Sequence, residues 1–139
     1  MNLIISTLPP PTLPIINHAK DAYLIWFGYF QKLPKIHRYT LGLRIDNSFV
    51  EIIENLSTAG FSKSPQKQDF INLAIRKNDT LKILMMILWE TKSIDNKKYI
   101  LLSKRLDEVG KMLGGWISHL QKQNSPGTSW ERNEKTGEA

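Results

Sequence analysis

The side chains able to do chemistry in this chain are few in kind. Its three histidines, His18, His37 and His119, form no i, i+4 pair, and no His-Glu-x-x-His motif occurs. The absence of cysteine excludes disulfides, a thiol nucleophile and cysteine-ligated zinc or iron–sulfur centres. Six Asp and seven Glu are scattered, many of them three or four residues from a Lys or Arg, which is the spacing of solvated partners on a helix face. No nucleophile elbow is present. The run Lys111-Met112-Leu113-Gly114-Gly115 lacks the spacing and the preceding strand of a phosphate loop. These residues point to a non-enzyme that needs neither cofactor nor metal.

What remains is positive charge. Nineteen Lys and Arg against thirteen Asp and Glu give +6 over 139 residues. The stretch from Asn124 holds Arg132 and Lys135 against Glu131, Glu134 and Glu138, so the rest of the chain carries +7. Lys32, Lys35, Arg38 and Arg44 gather near one predicted hairpin, and Lys67, Arg76, Lys77 and Lys82 fall on the helix that follows. Lys97, Lys104 and Lys111 recur every seven residues, with Lys122 on the same line. At about 100° per residue that line lies opposite the apolar seam of its helix and points to solvent. A continuous basic ridge attracts polyanions through their backbone charge, with salt-sensitive affinity. On charge geometry the candidate contacts are Arg76, Lys77, Lys82, Lys104 and Lys111. Tyr23, Trp26 and Phe27 fall on a core stripe and read as packing rather than base-stacking residues.

Four helical patterns must position these charges. The first spans about 17–32, with Ala19, Ala22, Tyr23, Trp26, Phe27 and Phe30 on one stripe, and ends at Leu33-Pro34. The second is expected over 35–59 as one continuous helix, striped by Leu41, Ile45, Phe49, Ile52, Ile53, Leu56 and Ala59, with Gly60 after its end. The third opens at Ser64-Pro65, with a stripe of Phe70, Leu73, Ala74, Leu81, Leu84 and Leu88. The fourth is capped by Ser93 or Asp95 and runs to about 121. Its seam of Tyr99, Leu102, Leu106, Val109, Leu113, Trp116, Ile117 and Leu120 is nearly a heptad repeat. Short linkers and the lack of strand-like alternation predict an all-α, up-and-down antiparallel four-helix bundle over 17–122. Residues 1–16, with Pro9, Pro10, Pro11 and Pro14, are expected to form a proline-rich extended arm, and residues 123–139 a flexible tail.

The third and fourth helices carry more apolar residues than one core needs. Ile71, Ile75, Met86 and Trp89 fall a quarter to half a turn from the main stripe of the third, and Ile100 and Leu101 lie off the seam of the fourth. Their repetition at helical spacing predicts a second packing surface, for another copy of the chain. Gly42, Gly110 and Gly114, inside helical patterns, are expected where helices approach closely. The longest apolar run, Ile83 to Trp89, is seven residues, against the roughly 20 a bilayer-spanning helix needs. Together with an N-terminus that lacks a positive flank, this predicts a cytoplasmic protein without a membrane partner.

Two long stretches resemble a known family. They are Pro34-Lys35-Ile36-His37-Arg38-Tyr39-Thr40-Leu41-Gly42-Leu43-Arg44-Ile45 and Leu106-Asp107-Glu108-Val109-Gly110-Lys111-Met112-Leu113-Gly114-Gly115-Trp116-Ile117. Together they look like the Avd family, the accessory variability determinants of diversity-generating retroelements. That family is similar to the four-helix-bundle proteins encoded in ribosomal RNA intervening sequences. Lys111 stands where the family pattern has arginine, which keeps the charge but loses the bidentate fork. The resemblance implies a homopentameric barrel of four-helix bundles with a basic surface for RNA and DNA and a reverse transcriptase as partner. It further implies a non-catalytic role, supporting mutagenic copying of a template RNA. Lys35, Arg38 and Arg44 are the motif positions it offers as RNA or polymerase contacts. The helical angle of Arg38 also suits a structural hydrogen bond at the bundle end. The alternative is an intervening-sequence type of oligomer, a scaffold with no polymerase partner.

Overall fold

The computed structural model describes residues 12–124. They form α1 (Thr12–Phe30), a one-turn α2 (Lys35–Arg38), α3 (Leu41–Phe61), α4 (Gln66–Glu90) and α5 (Asn96–Asn124), with no strand among the described residues. Short connections make sequential helices antiparallel neighbours. The four long helices sit at the corners of a square. α3 packs on α1 and α4, and α5 packs on α4 and α1, so α1/α4 and α3/α5 are the diagonals.

Heptad spacing builds the core. α3 contributes Ile45, Phe49, Ile52, Leu56 and Ala59, and α5 contributes Leu102, Leu106, Val109, Leu113, Trp116 and Leu120, each in steps of three and four. α1 adds Ile15, Ala19, Ala22 and Trp26. Each large side chain taken fully out of water contributes about 1.5–3 kcal/mol before chain entropy opposes it. Trp26 and Phe49 are buried as offset, nearly parallel rings 6.2 Å apart, and the Trp26 indole N–H donates to Asp46 Oδ1 at 3.2 Å. Burial pushes the Tyr23 phenol above its ordinary value, and its hydrogen bond with the Asp46 carboxylate adds to the shift.

The seam of α4 keeps Ala74, Leu81 and Leu88 of the expected stripe and replaces Phe70, Leu73 and Leu84. It reads Ile71, Ala74, Asn78, Leu81, Met85 and Leu88. The polar residue explains the misreading: Asn78 occupies a core position, so its gap in the apolar pattern favoured the neighbouring register through Phe70, Leu73 and Leu84. The Asn78 amide donates to the Leu106 carbonyl of α5 at 3.0 Å, while its Oδ1 is buried and unpartnered. A side chain on Gly110 would place its Cβ 3.2 Å from that same amide nitrogen. Gly110 therefore lets α5 offer its backbone to Asn78, as a close-packing glycine should.

The chain connections depart from expectation in three places. α1 begins at Thr12, so residues 12–16 are helix rather than arm, and Ile15 and Ile16 lie in the core. Pro14 is compatible with this because the first-turn N–H groups have no intrahelical acceptor. The rest of the expected arm, 1–11, lies outside the described residues, as does the tail from 125; residues 123 and 124 end α5. The second helix breaks at Thr40 (φ −121°, ψ −99°), whose hydroxyl donates to the Ile36 carbonyl at 2.8 Å. α3 then runs through Gly60 to Phe61, so Gly60 is not a C′ residue. At the fourth helix the expected cap is found: Asp95 Oδ1 accepts from Lys98 N at 2.9 Å.

One end of the bundle is cross-braced by the first matched stretch. Leu33 is buried, and Arg38 donates to its carbonyl at 2.9 Å. His37 Nδ1 pairs with Ser93 Oγ, tying the α1–α3 connection to the α4–α5 turn. A Cβ on Gly42 would meet the His37 carbonyl oxygen at 2.7 Å and Leu33 at 2.8 Å, which only glycine allows. Gly114 is different: nothing lies within 4 Å of its notional Cβ, so it is not a packing glycine within the protomer. α4 ends in a Schellman-type turn, with Lys92 at φ 64° and Ser93 N donating to the Leu88 carbonyl at 2.8 Å. No helix among the described residues is long and apolar enough to cross a membrane.

Candidate nucleic-acid interface

Helical phase sorts the outward residues into four flanks, one over each seam of the square. On α3, Arg44, Ser48 and Glu51 follow one another at i, i+4 and i+7 and so share the side turned to α4. On α4, Arg76, Lys77 and Thr80 turn to α3. Together with Asn47 and Leu73 they line an open cleft of about 550 Å³. Lys77 is ion-paired with Glu51 across the cleft. The Arg44 and Arg76 guanidinium groups are exposed, with no side-chain partner among the described residues. Ser48 is occupied, donating to the Arg44 carbonyl at 2.8 Å. Three cations and one carboxylate therefore surround the opening, which leaves it positive and rich in donors.

The opposite flank, between α5 and α1, is also basic. Lys97, Lys98 and Lys104 line a second hollow of about 550 Å³ with Tyr29, Asp95, Ile100 and Leu101. The Lys98 ammonium lies 5.1 Å from the Tyr29 ring centroid. Asp95 is engaged as the α5 cap. Lys111 continues this ridge, exposed and without an ion pair among the described residues.

The expected contacts therefore separate. Arg44, Arg76 and Lys77 converge in one cleft, and Lys104 and Lys111 stay on the ridge. Lys82 leaves the group: it faces α5 and pairs with Asp107 at 2.8 Å. Lys35 is exposed on α2, and Arg38 is half-buried and spent on the Leu33 carbonyl. Lys97 and Lys98, which line the second hollow, were not among the candidate contacts. The seven-residue repeat could have included Lys97, whereas Lys98 needed the placement of Tyr29 on a different helix.

The remaining two flanks are apolar. Of the residues expected to pack on a second copy, Ile71 is fully buried in the protomer's own core and is withdrawn from that surface. Ile75 is half-buried against the core, and Leu101 lies half-buried in the second hollow. Met86, Trp89 and Ile100 remain exposed. Trp89 stacks on Tyr99 at 4.7 Å and donates to Asn96 at 2.6 Å, which fixes the α4/α5 flank. Ile83, 55% exposed, and Ile87 extend the outer face of α4 beside Met86 and lie outside the positions expected to pack on a second copy. A matching apolar strip was also missed on the opposite, α1/α3 flank, where Leu24, Phe27, Leu43 and Val50 are exposed. Phe27 thus belongs to the surface and not to the core stripe.

The bAvd-like family model matches residues 17–120, which takes in α2, α3 and α4 in full and most of α1 and α5. Neither a curated protein nor a solved structure matches the chain. A match that covers most of the chain, with the whole basic cleft, shows that the chain belongs to the bAvd-like family.

Proposed function

We propose that this protein is a non-catalytic accessory factor that binds template RNA, and DNA, together with a reverse transcriptase, and so supports mutagenic copying in a diversity-generating retroelement. The observation that carries the reading is the pair of basic flanks on a bundle of the bAvd-like family. Residues 12–124 hold 17 Lys and Arg against 10 Asp and Glu, and cations without an ion pair line both hollows.

Assembly into a homopentameric ring belongs to the same proposal. Apolar flanks on opposite sides of a protomer suit a head-to-tail contact, α4/α5 of one copy on α1/α3 of the next, which closes a ring when the rotation allows. The two basic flanks would then stay open on every copy, and their fields would add.

The experiment is co-purification with a diversity-generating retroelement's reverse transcriptase and its template RNA, alongside low-salt binding to a structured RNA. Retention of both partners is expected, with a light-scattering mass near five protomers. Failure to bind either the RNA or the polymerase would falsify the reading, and a monomer at micromolar concentration would remove the ring.

A further inference from the structure

We infer that the α3/α4 cleft is a phosphate site for the nucleic-acid backbone, and that Glu51 restrains it by competing with the phosphodiester for Lys77. The inference rests on the nucleic-acid reading above and gives it a place and a tuning residue.

Two guanidinium groups from different helices, Arg44 and Arg76, flank one opening with no carboxylate of their own. Planar guanidinium forks match phosphate oxygens better than a lone ammonium does. The third cation, Lys77, is held by Glu51, the sole acid on the lining. That pair is wet: the two side chains are 30% and 47% exposed. A solvated pair of this kind contributes little net stability and exchanges partners readily. A phosphodiester entering the cleft meets all three cations, whereas Glu51 reaches one. Once displaced, the Glu51 carboxylate stands beside a phosphate and repels it. Glu51 therefore sets a lower affinity than the cations alone would give.

Formal charge and position can be separated with a neighbour. Glu54 is on the same helix, exposed and outside the cleft lining. Glu51→Gln and Glu54→Gln each remove one negative charge with little change of shape. Binding of a labelled single-stranded RNA, and of the DNA of the same sequence, is measured across a salt series for the full chain and these variants. Glu51→Gln should tighten binding of both by about three- to tenfold, and Glu54→Gln should change it by less than about twofold. Arg44→Gln with Arg76→Gln should weaken binding about tenfold or more and flatten the salt slope by about two. In that background Glu51→Gln should lose most of its effect. Equal tightening by Glu51→Gln and Glu54→Gln overturns the site in favour of net charge alone, as does normal binding by the double arginine variant. An effect of Glu51→Gln confined to RNA or to DNA overturns the backbone assignment. If the unaltered protein binds neither polymer at low salt, the nucleic-acid reading itself falls, and the cleft with it.

Discussion

The α1/α3 and α4/α5 flanks expose aliphatic and aromatic side chains, among them Phe27, Val50, Ile83 and Met86, whereas the α3/α4 and α5/α1 flanks expose cations around open hollows. All four flanks cover the same kind of heptad seam, so the core does not decide their character. The difference lies in which residues stand beside the seam. On the α4/α5 flank Lys82 pairs with Asp107 and Lys67 lies over the Trp116 ring, and apolar side chains are exposed beside them. On the α3/α4 flank a single acid faces three cations. A bundle of this size can thus carry two kinds of contact at once, provided that they alternate around its girth.

The largest expected effect comes from breaking one apolar flank at a time. Met86→Asp spoils the α4/α5 flank and Leu43→Asp the α1/α3 flank, both at exposed positions that leave helicity intact. A head-to-tail contact predicts that each variant alone is monomeric. Mixed in equal amounts they should form dimers, since each retains the surface the other lacks. Light scattering reads the outcome, and dimers of either variant alone would show that like flanks pair with like.

A smaller effect separates the brace from the flanks. Gly42→Ala puts a methyl group against the His37 carbonyl oxygen and Leu33. It should cost about 1–3 kcal/mol in urea unfolding, with RNA affinity unchanged under folding conditions. Reduced affinity without lost stability would mean that the bundle end itself contacts RNA.

Within the charged flanks, Lys104→Gln with Lys111→Gln should weaken RNA binding and flatten its salt slope by about two, because both side chains are unpaired. Lys82→Gln should change the slope little, since Lys82 faces α5 on the apolar flank and lines neither basic hollow. Equal slopes for the two variants would erase the distinction between the basic ridge and the apolar flank.

The smallest effect is on pH dependence beneath the α1/α3 flank. The Tyr23 phenol is raised above 10.0 by burial and by Asp46. The folded state therefore holds that proton when the unfolded chain has lost it. Stability is fully present below the ordinary value and is lost as pH climbs from it through the raised one. Urea midpoints at about pH 9 and about pH 11 should show the drop.

Much of the fold was legible. The seams of α3 and α5 keep their apolar steps of three and four without interruption, and Asp95 stands where a cap should. The register of α4 was not, because Asn78 makes a tertiary hydrogen bond from a core position and removes an apolar residue from the pattern. The break at Thr40 was hidden for a similar reason. Neither proline nor glycine occupies that residue, and the close approach at Gly42 is defined by Leu33 and His37 of the preceding connection. The site was half-visible. Arg44, Arg76 and Lys77 could be picked as cations, yet their convergence depends on which side α3 turns to α4. The ion pairs of Lys77 and Lys82 cross between helices, beyond the reach of local spacing.

The most direct test compares the salt dependence of RNA affinity for the unaltered protein with that of the monomer made by Met86→Asp. Pooled basic flanks predict a slope for the assembly that is a clear multiple of the monomer's, with the two affinities converging as salt rises. Superimposable slopes, or an RNA affinity indifferent to salt, would contradict it.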